Sequence, residues 1–123
     1  MIRAFLLVGL GGGLGSMARY GISLLVSRIV ESAYPFATFF INITGCFLIG
    51  LLFGMVQKQT NLQSVIWLTL ATGFCGGFTT FSAFALENVN LFSKQLNLTA
   101  LAYTLLSVVL GILLCRVGIL LAT

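Results

Sequence analysis

The chain has 123 residues, 59% hydrophobic and only 7% charged, with a mean hydropathy of +1.15. So little charge cannot cover the surface of a soluble domain, so the sequence describes a membrane protein with no room for a separate soluble domain or an enzyme-sized cleft. The net charge of +4 comes from six scattered Lys or Arg against Glu31 and Glu87, which argues against a nucleic-acid surface, and with no His and no Asp the usual metal sites and proton relays have little to build on.

A membrane-spanning helix needs about 20 apolar residues, so four of them would occupy roughly 85 to 90 positions. The first span is predicted from about Ala4 to Val26. It carries the GxxxG pairs Gly9/Gly13 and Gly11/Gly15, and small residues at that spacing let a neighbouring helix approach closely. Gly13 to Ala18 formally matches a GxGxxA dinucleotide fingerprint, but no βαβ pattern surrounds it and no acid lies about 20 positions on. No A-x-A-like site follows, so this stretch reads as a span rather than a cleaved signal peptide. Arg19 lies inside it, either snorkelling to the interface or drawing anions into a vestibule.

Pro35 is placed to open the second span, about Phe36 to Val56, since a proline there forfeits no hydrogen bond. Thr38, Asn42, Gly45 and Cys46 fall on one helical face. Asn42 is roughly 9 Å inside the helix start at 1.5 Å per residue. An amide at that depth must face protein or a pore. Asn42-Ile43-Thr44 is also a glycosylation sequon, irrelevant if buried. Cys46, Cys75 and Cys115 lie in apolar segments without CxxC spacing and read as small core residues.

A polar turn with Lys58, Gln59, Asn61 and Gln63 leads to the third span, predicted over about 64–92 with a break near 75–80. From Gln59 to Leu86 there is no charge, yet Thr72 to Phe84 holds three glycines, three threonines and a serine. Each glycine weakens a helix by roughly 1 kcal/mol relative to Ala, and hydroxyls need partners where there is no water. Irregular backbone at membrane depth is tolerated only inside protein or along a water-filled path, which is how broken helices form ion sites. Phe78, Phe81 and Phe84 recur every three residues beside Thr79, Thr80 and Ser82. The fourth span, about Leu98 to Leu121, carries Thr99, Tyr103, Ser107, Gly111 and Cys115 at strict i+4 spacing.

Four spans put Arg3, Lys58 and Arg116 on one side and Arg19, Arg28 and Lys94 on the other, so the positive-inside rule selects no orientation. A chain without bias can insert both ways, and two opposed copies would form an antiparallel dimer about an axis in the membrane plane. The same geometry puts Arg19 and Glu87 in one leaflet, where an ion pair between them would explain how the embedded acid is tolerated.

Gly12-Gly13-Leu14-Gly15-Ser16-x-x-Arg19-Tyr20, Asn42-x-x-Gly45 and Gly73-Phe-Cys-Gly-Gly-Phe-Thr-Thr-Phe-Ser-Ala-Phe84 together resemble the Fluc (CrcB) family of small fluoride channels, nearly end to end. The resemblance implies a dual-topology homodimer in the plasma membrane, which is the inner membrane if the source is Gram-negative. It would have two antiparallel fluoride pores lined by both subunits and a structural sodium ion at its centre. On that resemblance Asn42 is the pore amide, Phe81 and Phe84 are pore-facing rings, and Thr80, Ser82, Tyr103 and Ser107 supply hydroxyls along the pore. Arg19 lies toward a vestibule, and Gly76 and Thr79 offer backbone carbonyls to sodium. Ala83 stands where the family often has a third hydroxyl, and Gly111 where a further polar residue of the fourth helix is expected.

Two other classes fit parts of the sequence. A small exporter of cationic drugs needs an acid deep in a central helix, and Glu87 is placed near the end of the third span. A membrane anchor or assembly subunit would explain the GxxxG pairs as packing, but has no need of rings and hydroxyls gathered at one break.

Overall fold

The computed structural model describes residues 1–58 and 63–123, and these are all helical apart from short connections. The helix α1 covers Ile2–Ile29 and α2 covers Phe36–Val56. A third run comprises α3 (Gln63–Ile66), a π-helix (Trp67–Cys75), α4 (Gly76–Phe78) and α5 (Phe81–Ser93), and α6 (Asn97–Ala122) closes the chain. Of these four runs, α2, Trp67–Ser93 and α6 are each long and apolar enough to cross a bilayer. α1 is longer still at 28 residues, but its glycines, Ser16 and Arg19 dilute its hydropathy. The chain is a multi-pass membrane protein. Gln59 and Asn61, predicted in the polar turn, lie outside the described residues.

Glycines set how closely the helices meet. α1 lies on the π-helix and α4, and α2 lies along α6. A Cβ on Gly11 would run into the Thr69 carbonyl oxygen, and one on Gly15 into that of Phe74, so this GxxxG pair is the contact of α1 with the π-helix. Gly9 and Gly13, the other predicted pair, face outward with nothing within 4 Å of a Cβ. On the second seam Gly50 faces the Cys115 carbonyl and Gly118 the Phe47 carbonyl.

The glycines of the third run do not act where they sit by breaking the helix. Gly76 has helical dihedrals of −63° and −39°, and no glycine takes a positive φ. The wider π turn appears in the hydrogen bond from Gly76 N–H to Ala71 O, five residues back. Thr79 and Thr80, by contrast, are extended, at φ −84°, ψ 157° and φ −149°, ψ 128°. α5 then ends in a Schellman motif: Leu96 N–H reaches Leu91 O at 2.8 Å and Gln95 N–H reaches Phe92 O at 3.0 Å, with Gln95 at φ 60°. The core beside it joins Phe39, Leu91, Ala100 and Tyr103, with Phe84 and Leu96 packed against them.

Candidate functional site

Two extended residues between helices leave backbone groups without helical partners, and Asn42 takes up one full set. Its Oδ1 accepts from Thr80 N–H at 2.9 Å and its Nδ2 donates to Thr80 O at 3.0 Å. The amide of α2 thus pairs with both backbone groups of Thr80, its N–H and its C=O, as a neighbouring strand would, which answers the depth problem posed by its position. Thr80 Oγ1 accepts from Ala83 N–H at 3.2 Å and so caps α5, and it lies 3.2 Å from Ser82 Oγ. Thr79 turns back on α4, its N–H and Oγ1 both donating to Cys75 O, at 3.0 and 2.8 Å. Gly45 makes room for it, because a Cβ there would strike the Thr79 methyl group.

These groups open onto a groove of about 510 Å³ lined by Asn42, Thr79, Thr80, Ser107, Phe81 and Phe84 together with Gly76, Cys46 and Cys75, and by no charged side chain. Phe81 is 79% exposed in the single chain. Its ring lies 5.8 Å from that of Phe84, which in turn lies 5.0 Å from Tyr103. Ser107 Oγ is buried without a hydrogen-bond partner. The structure therefore brings most of the predicted site residues to one wall. Ser82 touches it only through Thr80, and Tyr103 lies behind it, fully buried.

The Arg19–Glu87 ion pair that a shared leaflet would allow does not form. Arg19 Nε donates to Gly77 O at 3.1 Å, because α1 packs on the π-helix and α4 rather than on α5. Glu87 is instead held by hydroxyls from the other side of α5: Thr38 Oγ1 donates to Oε1 at 2.5 Å and Tyr103 Oη to Oε2 at 2.7 Å. Two charge-assisted bonds explain how the acid is tolerated. Thr38 stood on the polar stripe of the second span, but its partner lay 49 residues away and no local spacing pointed to it. A second bridge was missed altogether: Asn88 Nδ2 donates to Phe84 O at 3.0 Å, and Thr104 Oγ1 donates to Asn88 Oδ1 at 3.0 Å.

Chemically, the groove offers amide and hydroxyl donors and aromatic rings, the means of replacing the water around a small anion without a fixed charge to trap it. A cation would need backbone oxygens, since no cluster of His, Cys, Asp or Glu among the described residues has the geometry to hold a metal ion.

Residues 6–119 match the family described as "CrcB-like protein, Camphor Resistance (CrcB)". The chain belongs to this family. It is 43% identical over 121 residues to "Fluoride-specific ion channel FluC" of Flavobacterium psychrophilum, an alignment covering 98% of each chain. It is 44% identical to "Fluoride-specific ion channel FluC 1" of Listeria innocua over 121 residues, again 98% of each. With "Fluoride-specific ion channel FluC" of Chlorobium phaeobacteroides the identity is 49% over 110 residues, 89% of this chain and 84% of the relative. All three of these relatives are named as ion channels.

Proposed function

We propose that this protein is a fluoride-selective channel that lets fluoride leave the cytoplasm passively and so relieves its toxicity. The observation that carries the reading is the groove at Thr79–Thr80, where the Asn42 amide, the Thr80 and Ser107 hydroxyls and the rings of Phe81 and Phe84 meet on one uncharged wall. The names of the relatives support it independently. Fluoride is small and strongly hydrated, so a selective path has to substitute close donors for water, and ring edges carry the positive part of the aromatic quadrupole. The partnerless Ser107 hydroxyl is such a donor. A negative-inside potential of 100 mV drives each anion outward with about 2.3 kcal/mol, so no coupled proton is required.

The working unit in this reading is an antiparallel homodimer in the plasma membrane, with two pores lined by both subunits. Support comes from the even division of positive charge and from Phe81, which a single chain leaves uncovered. A sodium ion at the dimer centre fits the groups present. Thr80 N–H, which would bond Gly76 O in a continuous helix, bonds Asn42 instead, and among the described residues no donor reaches the Gly76 or Thr79 carbonyl. Hard carbonyl oxygens are what a broken helix presents to a small cation. When bound, the ion would supply positive charge and tie the two copies together.

The test is fluoride efflux from liposomes containing the purified protein, with a potassium ionophore clamping the voltage and chloride run in parallel. Fast fluoride loss with little chloride loss is expected. Fluoride-tight liposomes holding a folded dimer would move the function to an exporter or an assembly role.

A further inference from the structure

Six successive carbonyls, Cys75 to Thr80, end the helical run before α5, and the chain itself occupies three of them. Cys75 O accepts from Thr79 at 3.0 and 2.8 Å, and Thr80 O accepts from Asn42 at 3.0 Å. Gly77 O accepts from Arg19 Nε at 3.1 Å and from Ser16 Oγ at 3.4 Å. Among the described residues, the carbonyls of Gly76, Phe78 and Thr79 receive no donor. Arg19 reaches across 58 residues of sequence to do this, from the half-buried face of α1 onto the end of α4. A guanidinium there also complements the negative end of the helix dipole.

We infer that Arg19 is a positioning residue: its Nε–H, seconded by Ser16, holds the Gly77 carbonyl against α1 and thereby sets the last turn of α4, leaving the Gly76 and Thr79 carbonyls, proposed above for a small monovalent cation, among the three that no donor of the described residues occupies. The inference rests on the cation site proposed above, but it assigns Arg19 a task other than attracting anions. What matters is one N–H at one place rather than the positive charge. Ser16 and Arg19 lie three residues apart on α1 and so share a face, which is why both reach the same oxygen. Asn42 does the corresponding work from α2 on Thr80, so the extended pair is flanked by a contact from α1 to the end of α4 and one from α2 to Thr80.

The test exploits side-chain geometry. Glutamine carries its Nε2 at the same position along the chain as arginine carries Nε, whereas methionine is of similar length without a donor. The readout is the rise in Tm of the purified full-length protein when sodium replaces N-methylglucamine at constant ionic strength, titrated to give an apparent sodium affinity, with fluoride efflux measured alongside. Arg19→Gln is expected to keep the sodium-dependent rise, and Arg19→Met to weaken the apparent affinity by roughly three- to tenfold, the worth of one hydrogen bond. Equal loss in both variants would assign the effect to charge and overturn the inference, as would no loss in either. Should Arg19→Met fail to fold, Ser16→Ala reads the same contact: a smaller loss of sodium affinity supports the inference and none overturns it. A wild-type protein that conducts fluoride with no sodium-specific rise also overturns it while leaving the channel reading intact. Conversely, the Gln/Met contrast in a protein that carries no fluoride sinks the channel reading and leaves the role of Arg19 standing.

Discussion

A side-chain amide inside a bilayer has to find polar company, and Asn42 finds it in a single residue, in the N–H and C=O of Thr80. Asn42→Asp replaces the donor facing Thr80 O with a second acceptor and adds negative charge to an anion path. Fluoride efflux should be nearly abolished while the purified protein remains helical by circular dichroism. The rings separate function from stability in another way. Phe81 is largely uncovered in the chain, so Phe81→Ile should cost little monomer stability, whereas Phe84 packs on Tyr103 and its loss should cost about 1 kcal/mol. Both are expected to slow efflux by more than they lower Tm, and normal conduction by both would remove the rings from the pore. Glu87 needs its two hydroxyl partners. Tyr103→Phe leaves Oε2 without one and should cost about 1–3 kcal/mol, read from a denaturation midpoint.

Among the elements, the close seam between α1 and the π-helix depends on absent side chains. Gly11→Ala must push the helices apart against the Thr69 carbonyl, so the variant should express poorly or melt several degrees lower. Gly21→Ala is the control: nothing lies within 4 Å of a Cβ there, and relief of the glycine penalty of about 1 kcal/mol should leave Tm level or raised. At the far end of α5, Gln95 occupies the left-handed position of a Schellman motif that glycine fills more cheaply. Gln95→Gly should therefore stabilise the protein by roughly 0.5–1 kcal/mol, detectable as an increase in Tm without any change in efflux.

For the whole molecule, three positive residues on each side predict insertion in both orientations. A reporter fused to the C-terminus should be found on both faces of the membrane, in proportions that shift when one Lys or Arg is added to a connection. A reporter confined to one face in every molecule would eliminate the antiparallel dimer.

The amino-acid sequence by itself determined that this is a membrane protein of four helical segments, because hydropathy and segment length are local and additive. It also picked out the hydroxyl-rich stretch around Thr79 and Thr80, since glycines, hydroxyls and rings are conspicuous in an apolar run, and most of the residues that line the groove. Only the tertiary structure decided what those groups do to one another. Gly11 and Gly15 meet a neighbour while Gly9 and Gly13 do not, a choice made by which face of α1 turns inward. Arg19 takes a carbonyl on α4 and Glu87 takes hydroxyls on α2 and α6, although both share a leaflet by simple topology. Hydrogen-bond partners 38 to 58 residues apart depend on helix rotation and on which helices pack side by side, and no spacing along the chain encodes either.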